Sequence, residues 1–185
     1  MFTDVRLIVL DRDGVINVDS DNFIRNADAW QPLPGAIEAI GELASRGYDL
    51  AVASNQSGIG RGLIRQADLN AMHRKMFALC ATVEGCISVV RFCPHTPEAG
   101  CRCRKPAPGM LLDLMRNFSV TPAQTLFVGD ASRDILAARN AGCLAVLVRS
   151  SGASSTTHED QDMAVPVVRD LMALIDLLPV APTQQ

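Results

Sequence analysis

Short unbroken apolar runs alternate along this chain with stretches whose apolar residues recur every three to four positions. The runs are Val5 to Leu10, Gly47 to Ser54, Ile87 to Phe92, Thr125 to Val128 and Cys143 to Val148. Continuous apolar runs of this length suit strands buried on both faces, as in a parallel sheet. Between them, Pro34 to Ser45 places Ile37, Ile40, Leu43 and Ala44 at helical spacing, with Gly47 positioned to end the helix. Ala67 to Val83 aligns Leu69, Met72, Met76, Leu79 and Cys80 on one face. Further helices are expected at Pro108 to Phe118, where a proline suits the first turn, at Ser132 to Ala141 before Gly142, and at Asp170 to Leu178. Five strand–helix alternations predict a three-layer α/β fold with a mostly parallel central sheet. Ligands in such folds gather at the carboxyl ends of the strands.

Each apolar run is followed by polar chemistry. "DRDGVIN" follows the first, "NQSG" the second, a cysteine cluster the third, "GD" the fourth and "RSSG" the fifth. Asp11 and Asp13 stand two apart, so an extended backbone points both carboxylates the same way. Such a pair is costly unless a divalent cation or a shared proton relieves it, although an acidic surface turn would look the same. "FVGDASRD" adds Asp130 and Asp134 at another strand end. These acids also suit a helix N-terminus, where negative charge gains about 0.3–1 kcal/mol. A parallel sheet brings that strand end near the first, and oxygen ligands with open water positions are what Mg²⁺ prefers.

"FCPHTPEAGCRCRKPAPGM" sets Cys93, His95, Cys101 and Cys103 within eleven positions. Three thiols and an imidazole are ligand types that zinc accepts in a closed tetrahedral site, which points to a structural metal over a disulfide pair or free thiols. The loop between them has almost no apolar residue with which to order itself, and metal ligation would supply that order. Cys80, Cys86 and Cys143 sit in apolar surroundings and read as small core residues. His73 reads as a partly exposed packing residue, and His158 lies in a polar loop.

The totals narrow the class. The chain has 185 residues, 48% of them apolar, with a net charge of −3. One domain is expected over residues 1–178, with a frayed tail at 179–185. The charge balance argues against a general nucleic-acid binder. No segment has the roughly 18–20 apolar residues of a membrane span, and the start lacks signal-peptide features. A cytoplasmic protein is expected, without nucleic-acid or membrane partners.

Four motifs in order, "DRDGVIN" at 11–17, "SNQSG" at 54–58, "RKP" at 104–106 and "GDASRD" at 129–134, resemble those of the haloacid dehalogenase superfamily of phosphohydrolases. The match spans essentially the whole folded chain. The resemblance implies Asp11 as the nucleophile that forms an aspartyl-phosphate. It implies Asp13 as the acid that protonates the leaving alcohol and the base that then activates water. Mg²⁺ would be held by the Asp11 carboxylate, the Asp13 carbonyl and Asp130, with Asp134 in support. Ser54 and Asn55 would bond the phosphoryl group, and Lys105 would neutralise its charge and restrain Asp11. Arg12 and Gln56, inside the same motifs, are expected to contact substrate as well.

The cysteine loop is similar to the zinc loop of the superfamily branch that includes heptose-bisphosphate and histidinol-phosphate phosphatases. The metal would then fix the loop that delivers Arg104 and Lys105. The same resemblance implies a small sugar-phosphate substrate and a step in ADP-heptose supply for lipopolysaccharide cores. It also implicates Asp19 and Asn22, after the first motif, as sugar contacts. Arg104 is the choice for the remote phosphate, because a guanidinium grips phosphate bidentately, with Arg61 a weaker candidate. Several relatives carry Lys or Arg where Ala131 stands, so Arg133 is a substitute cation. The motif intervals are used by predicted elements, which implies no large cap domain, an open site and a monomer. Histidinol-phosphate hydrolysis, or a zinc-stabilised binding module without turnover, are the alternatives.

Overall fold

The computed structural model describes residues 2–149 and 164–182. Six strands form one sheet: β1 (Leu7–Leu10), β2 (Asp49–Asn55), β3 (Ile87–Cys93), β4 (Thr125–Gly129), β5 (Leu144–Val148) and β6 (Val167–Val168). Their spatial order is β3-β2-β1-β4-β5-β6, and every pairing is parallel. The helices are α1 (Ala36–Ser45), α2 (Ser57–Gly60), α3 (Gln66–Ala81), α4 (Gly109–Phe118), α5 (Ser132–Ala141) and α6 (Leu171–Ile175).

The period of two along β1 explains the three layers. Ile8 and Leu10 face a core shared with α1, α3 and α6, together with Leu50, Val52, Leu126 and Val128. Leu7 and Val9 face the opposite core, built with α4 and α5 and with Ala51, Ala53 and Phe127. A strand covered on both sides has no polar position to spare, which is why its sequence is an unbroken apolar run. Gly47 and Gly142 follow α1 and α5 with φ of 87° and 75°, the left-handed geometry that ends a helix.

Three expectations change. The two-residue β6 was not foreseen; Val167 is largely exposed, and the stretch is too short to carry a pattern. Cys86 is exposed and outside the core. His73 is buried, 8% exposed, with its ring 6.1 Å from that of Phe92. The loop expected at 150–166 and His158 lie mostly or wholly outside the described residues, as do 183–185 of the tail. Among the described residues no helix is long and apolar enough to cross a membrane.

The register positions the site. Leu10 pairs with Val52 on one side and with Val128 on the other, so β1, β2 and β4 end within a few residues of one level. Asp11, Ser54 and Asp130 leave those three strands together.

Candidate active site

Asp11 follows β1 and is fixed from both ends. Its N–H donates to the Val128 carbonyl (2.8 Å), and its Oδ1 accepts from the Arg12 N–H (2.7 Å). Its Oδ2 lies 2.6 Å from Lys105 Nζ. Lys105 is buried, and its ammonium also faces Asp134 Oδ1 at 2.9 Å and the Ala53 carbonyl at 2.9 Å. The ammonium is thus ion-paired with two carboxylates and donates to one carbonyl. The ion pair ties the Asp11 carboxylate to Lys105. Burial would lower the Lys105 pKa, but Asp11 and Asp134 together outweigh that and raise it.

Asp130 leaves β4 toward the same point. The Asp11, Asp130 and Asp134 carboxylates offer oxygens within 4.8 Å of one another. Gly14 makes this approach possible: it has φ of 80°, and a Cβ there would stand 2.0 Å from Asp130 Oδ2. Gly129 plays the same part for Asp134, whose Cβ would meet an added methyl at 2.2 Å. Burial pushes Asp11 up to about 7, opposed by Lys105 and reinforced by Asp134. Burial, then Asp11 and Asp134, push Asp130 up to about 7 as well. Asp130 Oδ1 is buried with no hydrogen-bond donor, the nearest cation being Arg133 at 3.8 Å. Three clustered acids against one ammonium leave excess negative charge, and an orphaned carboxylate oxygen faces it. This donor set fits a hard divalent cation such as Mg²⁺.

Asp13 turns away from that cluster. Its Oδ1 accepts from Arg12 Nε (3.1 Å), Arg12 Nη2 (2.9 Å) and Asn17 Nδ2 (2.9 Å). Its Oδ2 accepts from Arg12 Nη2 (3.0 Å) and Gln56 Nε2 (2.7 Å). The two carboxylates of the first motif therefore do not share one environment. Gln56 Nε2 also donates to Ser54 Oγ at 2.8 Å.

These groups line a cleft with about 530 Å³ of empty volume. Asp11, Asp13, Asp19, Ser54, Asn55, Gln56 and Arg12 line it, as does Arg133, whose side chain is 44% exposed. Phe23, Ile24 and Ile64 supply apolar wall that the sequence did not mark.

Two of the cleft residues are bonded to protein groups, and three of the expected contacts lie outside its lining. Arg12 is 1% exposed and spends its guanidinium on Asp13. The Asn55 amide spans the Lys105 backbone, donating to its carbonyl (3.1 Å) and accepting from its N–H (3.0 Å). Its side chain therefore holds the lysine in place. Asn22 is exposed and does not line the cleft, and Arg104 donates to the His95 carbonyl (3.3 Å) away from it. Arg61 is exposed and also outside the lining.

The cysteine loop forms one cluster. Cys93, His95, Cys101 and Cys103 offer donor atoms within 4.8 Å of one another. Cys93 Sγ lies 3.5 Å from Cys101 Sγ and 3.2 Å from Cys103 Sγ, far beyond the ~2.05 Å of a disulfide. His95 Nδ1 lies 3.5 Å from Cys93 Sγ and 3.3 Å from Cys103 Sγ. Four such donors converging on one point fit zinc. Burial pushes the Cys93 thiol up to about 12. At Cys101 burial acts the same way, but hydrogen bonds from Cys103, the Arg104 N–H and Cys93 outweigh it and bring the thiol to about 6. The cluster is tied to the active-site side of the sheet. Cys93 is the last residue of β3, paired with Asn55, and its carbonyl accepts from the Gln56 N–H at 2.7 Å. Lys105 follows Cys103 by two residues.

A parallel sheet whose strand ends bring together a buried aspartate, a lysine and a second acidic pair is an arrangement suited to phosphate chemistry. Residues 5–142 match the haloacid dehalogenase-like hydrolases, and the chain belongs to that family. It is 45% identical to the D-glycero-beta-D-manno-heptose-1,7-bisphosphate 7-phosphatase of Bordetella bronchiseptica, over 94% of this chain and 98% of the relative. It is 42% identical to the enzyme of the same name from Pseudomonas aeruginosa, over 93% of this chain and 97% of the relative. The crystal structure of D,D-heptose 1,7-bisphosphate phosphatase from B. bronchiseptica, complexed with magnesium and phosphate, superposes with a TM-score of 0.84. That superposition has 40% identity and covers 94% of this chain and 97% of that one.

Proposed function

We propose that this protein is a magnesium-dependent phosphomonoesterase that removes the 7-phosphate of D-glycero-β-D-manno-heptose 1,7-bisphosphate. The single observation that carries the reading is the placement of Asp11. Its carboxylate is pinned by Lys105 on one side and stands beside the undonated Asp130 oxygen on the other, at the floor of an open cleft. The substrate follows from the relatives, which share that name at 42–45% identity over nearly their full length.

In the first half-reaction the Asp11 carboxylate attacks phosphorus and the bond from phosphorus to the C7 oxygen breaks. Asp13 gives its proton to the departing alkoxide. In the second, Asp13 takes a proton from water, which attacks phosphorus and releases the Asp11 carboxylate with inorganic phosphate. Ser54 would donate its hydroxyl to the transferring group, and Lys105 would hold Asp11 while its charge offsets that of the phosphoryl oxygens. Asp11, Asp130 and the Asp13 carbonyl would hold Mg²⁺, which supplies charge neutralisation at the phosphoryl oxygens. Cys93, His95, Cys101 and Cys103 would hold zinc, whose part is to fix the loop that carries Lys105. Asp19 is the remaining sugar-facing candidate of the loop after β1, and Arg133 is the half-exposed cation of the cleft. The reading treats residues 1–178 as one catalytic domain, with 93–103 its zinc loop, acting as a monomer in the cytoplasm.

The test is steady-state turnover of the two heptose bisphosphate anomers and of histidinol phosphate with Mg²⁺. The β-anomer is expected to be preferred. A large preference for histidinol phosphate, or no turnover of any of the three, would overturn the assignment.

A further inference from the structure

We infer that Arg12 is a positioning residue that fixes the carboxyl of Asp13 for proton transfer to and from the leaving oxygen. The inference rests on the assignment of Asp13 as the acid and base of this reaction. Its starting point is the burial of Arg12. The side chain is 2% exposed, and a buried guanidinium is costly unless it is paired. Its pairing is with Asp13 through both Nε and Nη2, the planar fork that holds a carboxylate in one orientation. Asn17 and Gln56 complete the grip, so Asp13 is held from its own motif, from the turn that follows and from the end of β2.

Arg12 lines the cleft, yet its Nε and Nη2 are both committed to Asp13, and its buried Nη1 makes no hydrogen bond within the protein. Gln56 can reverse its donor and acceptor roles by an amide flip, and Ser54 by rotating its hydroxyl. The clamp can thus accept Asp13 with or without its proton while the Arg12 fork keeps its orientation.

A general acid matters only when the leaving group needs a proton. Losing its placement therefore slows phosphorylation of Asp11 by an alkyl phosphate far more than by p-nitrophenyl phosphate, whose phenolate leaves unaided, whereas the second half-reaction is slowed equally for both. The experiment uses the full chain loaded with zinc and magnesium. Arg12→Met is expected to lower the single-turnover rate of leaving-group release from heptose bisphosphate by about 10²-fold, with a much smaller loss from p-nitrophenyl phosphate. Asp13→Asn is expected to show the same split, and Arg12→Met in the Asp13→Asn background to add nothing to it. If Arg12→Met does not fold, Gln56→Met is expected to show the split at smaller size. Equal losses on both substrates in the folded variants, or no loss, would overturn the inference while leaving Asp13 as the acid. Absence of the split in Asp13→Asn would overturn the assignment beneath it.

Discussion

Replacing Lys105 with methionine removes, among the described residues, the one cation ion-paired with the buried Asp11 and Asp134 carboxylates. The lysine is 3% exposed, with its ammonium 2.6 Å from Asp11 and 2.9 Å from Asp134. Breaking a buried pair by deleting one partner costs ~3–5 kcal/mol, because the survivor keeps its desolvation penalty. For a chain of this size each kcal/mol lowers Tm by ~2–4 °C, so Lys105→Met should melt ~6–20 °C lower. The deficit should also depend on pH. Asp11 is pushed up to about 7 even with the lysine present, and its loss moves the group further up. Toward about pH 5 the carboxyl takes a proton, the unpaired charge disappears and the deficit shrinks; it grows as pH rises past about 7 toward the variant's own higher pKa. Thermal melts of zinc-loaded, magnesium-free protein at about pH 5 and about pH 8 read this directly. A variant melting within a degree or two of the parent, or with the same deficit at both pH values, would refute the reasoning.

Magnesium should stabilise the protein increasingly as pH rises. Asp11 and Asp130 have folded pKa values near 7 against an ordinary 3.8. Between those values the folded state binds more protons than the unfolded one, so their contribution to metal-free stability falls as pH rises. A cation replaces those protons, and its thermal shift should grow from about pH 5 to about pH 8 and vanish in Asp130→Asn; a shift flat with pH would contradict this. Gly14→Ala should cost ~1–3 kcal/mol in backbone strain and displace Asp130, which calorimetric titration with Mg²⁺ would show as weakened binding. Cys101→Ser should lower both zinc content and Tm and reduce kcat by about 10²-fold even in excess Mg²⁺, because Lys105 is two residues from Cys103. Unchanged activity in zinc-free protein would separate the loop from the chemistry.

The fold was legible because its strands are covered on both faces. Leu7 to Leu10 must be apolar throughout when Ile8 and Leu10 face one core and Leu7 and Val9 the other. Glycines with left-handed geometry marked the ends of α1 and α5. Strand β6 gave no signal, since two valines have no period. Within the site, the residues that meet in space were marked by spacing, and the cysteine cluster by ligand type. What could not be read was the partner of each side chain. Arg12, Asn55 and Gln56 sit inside phosphate-facing motifs and look like substrate contacts. Their actual partners, Asp13 and the Lys105 backbone, depend on which way each side chain turns at the strand end. Asn55 and Lys105 lie 50 residues apart, so their bond exists only through the β2–β3 register.

The central claim is that Asp11 carries the phosphoryl group. Acid-quenching Asp13→Asn protein during turnover of p-nitrophenyl phosphate, whose phenolate needs no acid, reducing with borohydride and mapping peptides by mass spectrometry tests it most directly. Homoserine at position 11 is the predicted result. An unmodified Asp11, with the phosphoryl group on another side chain or on none, would contradict it.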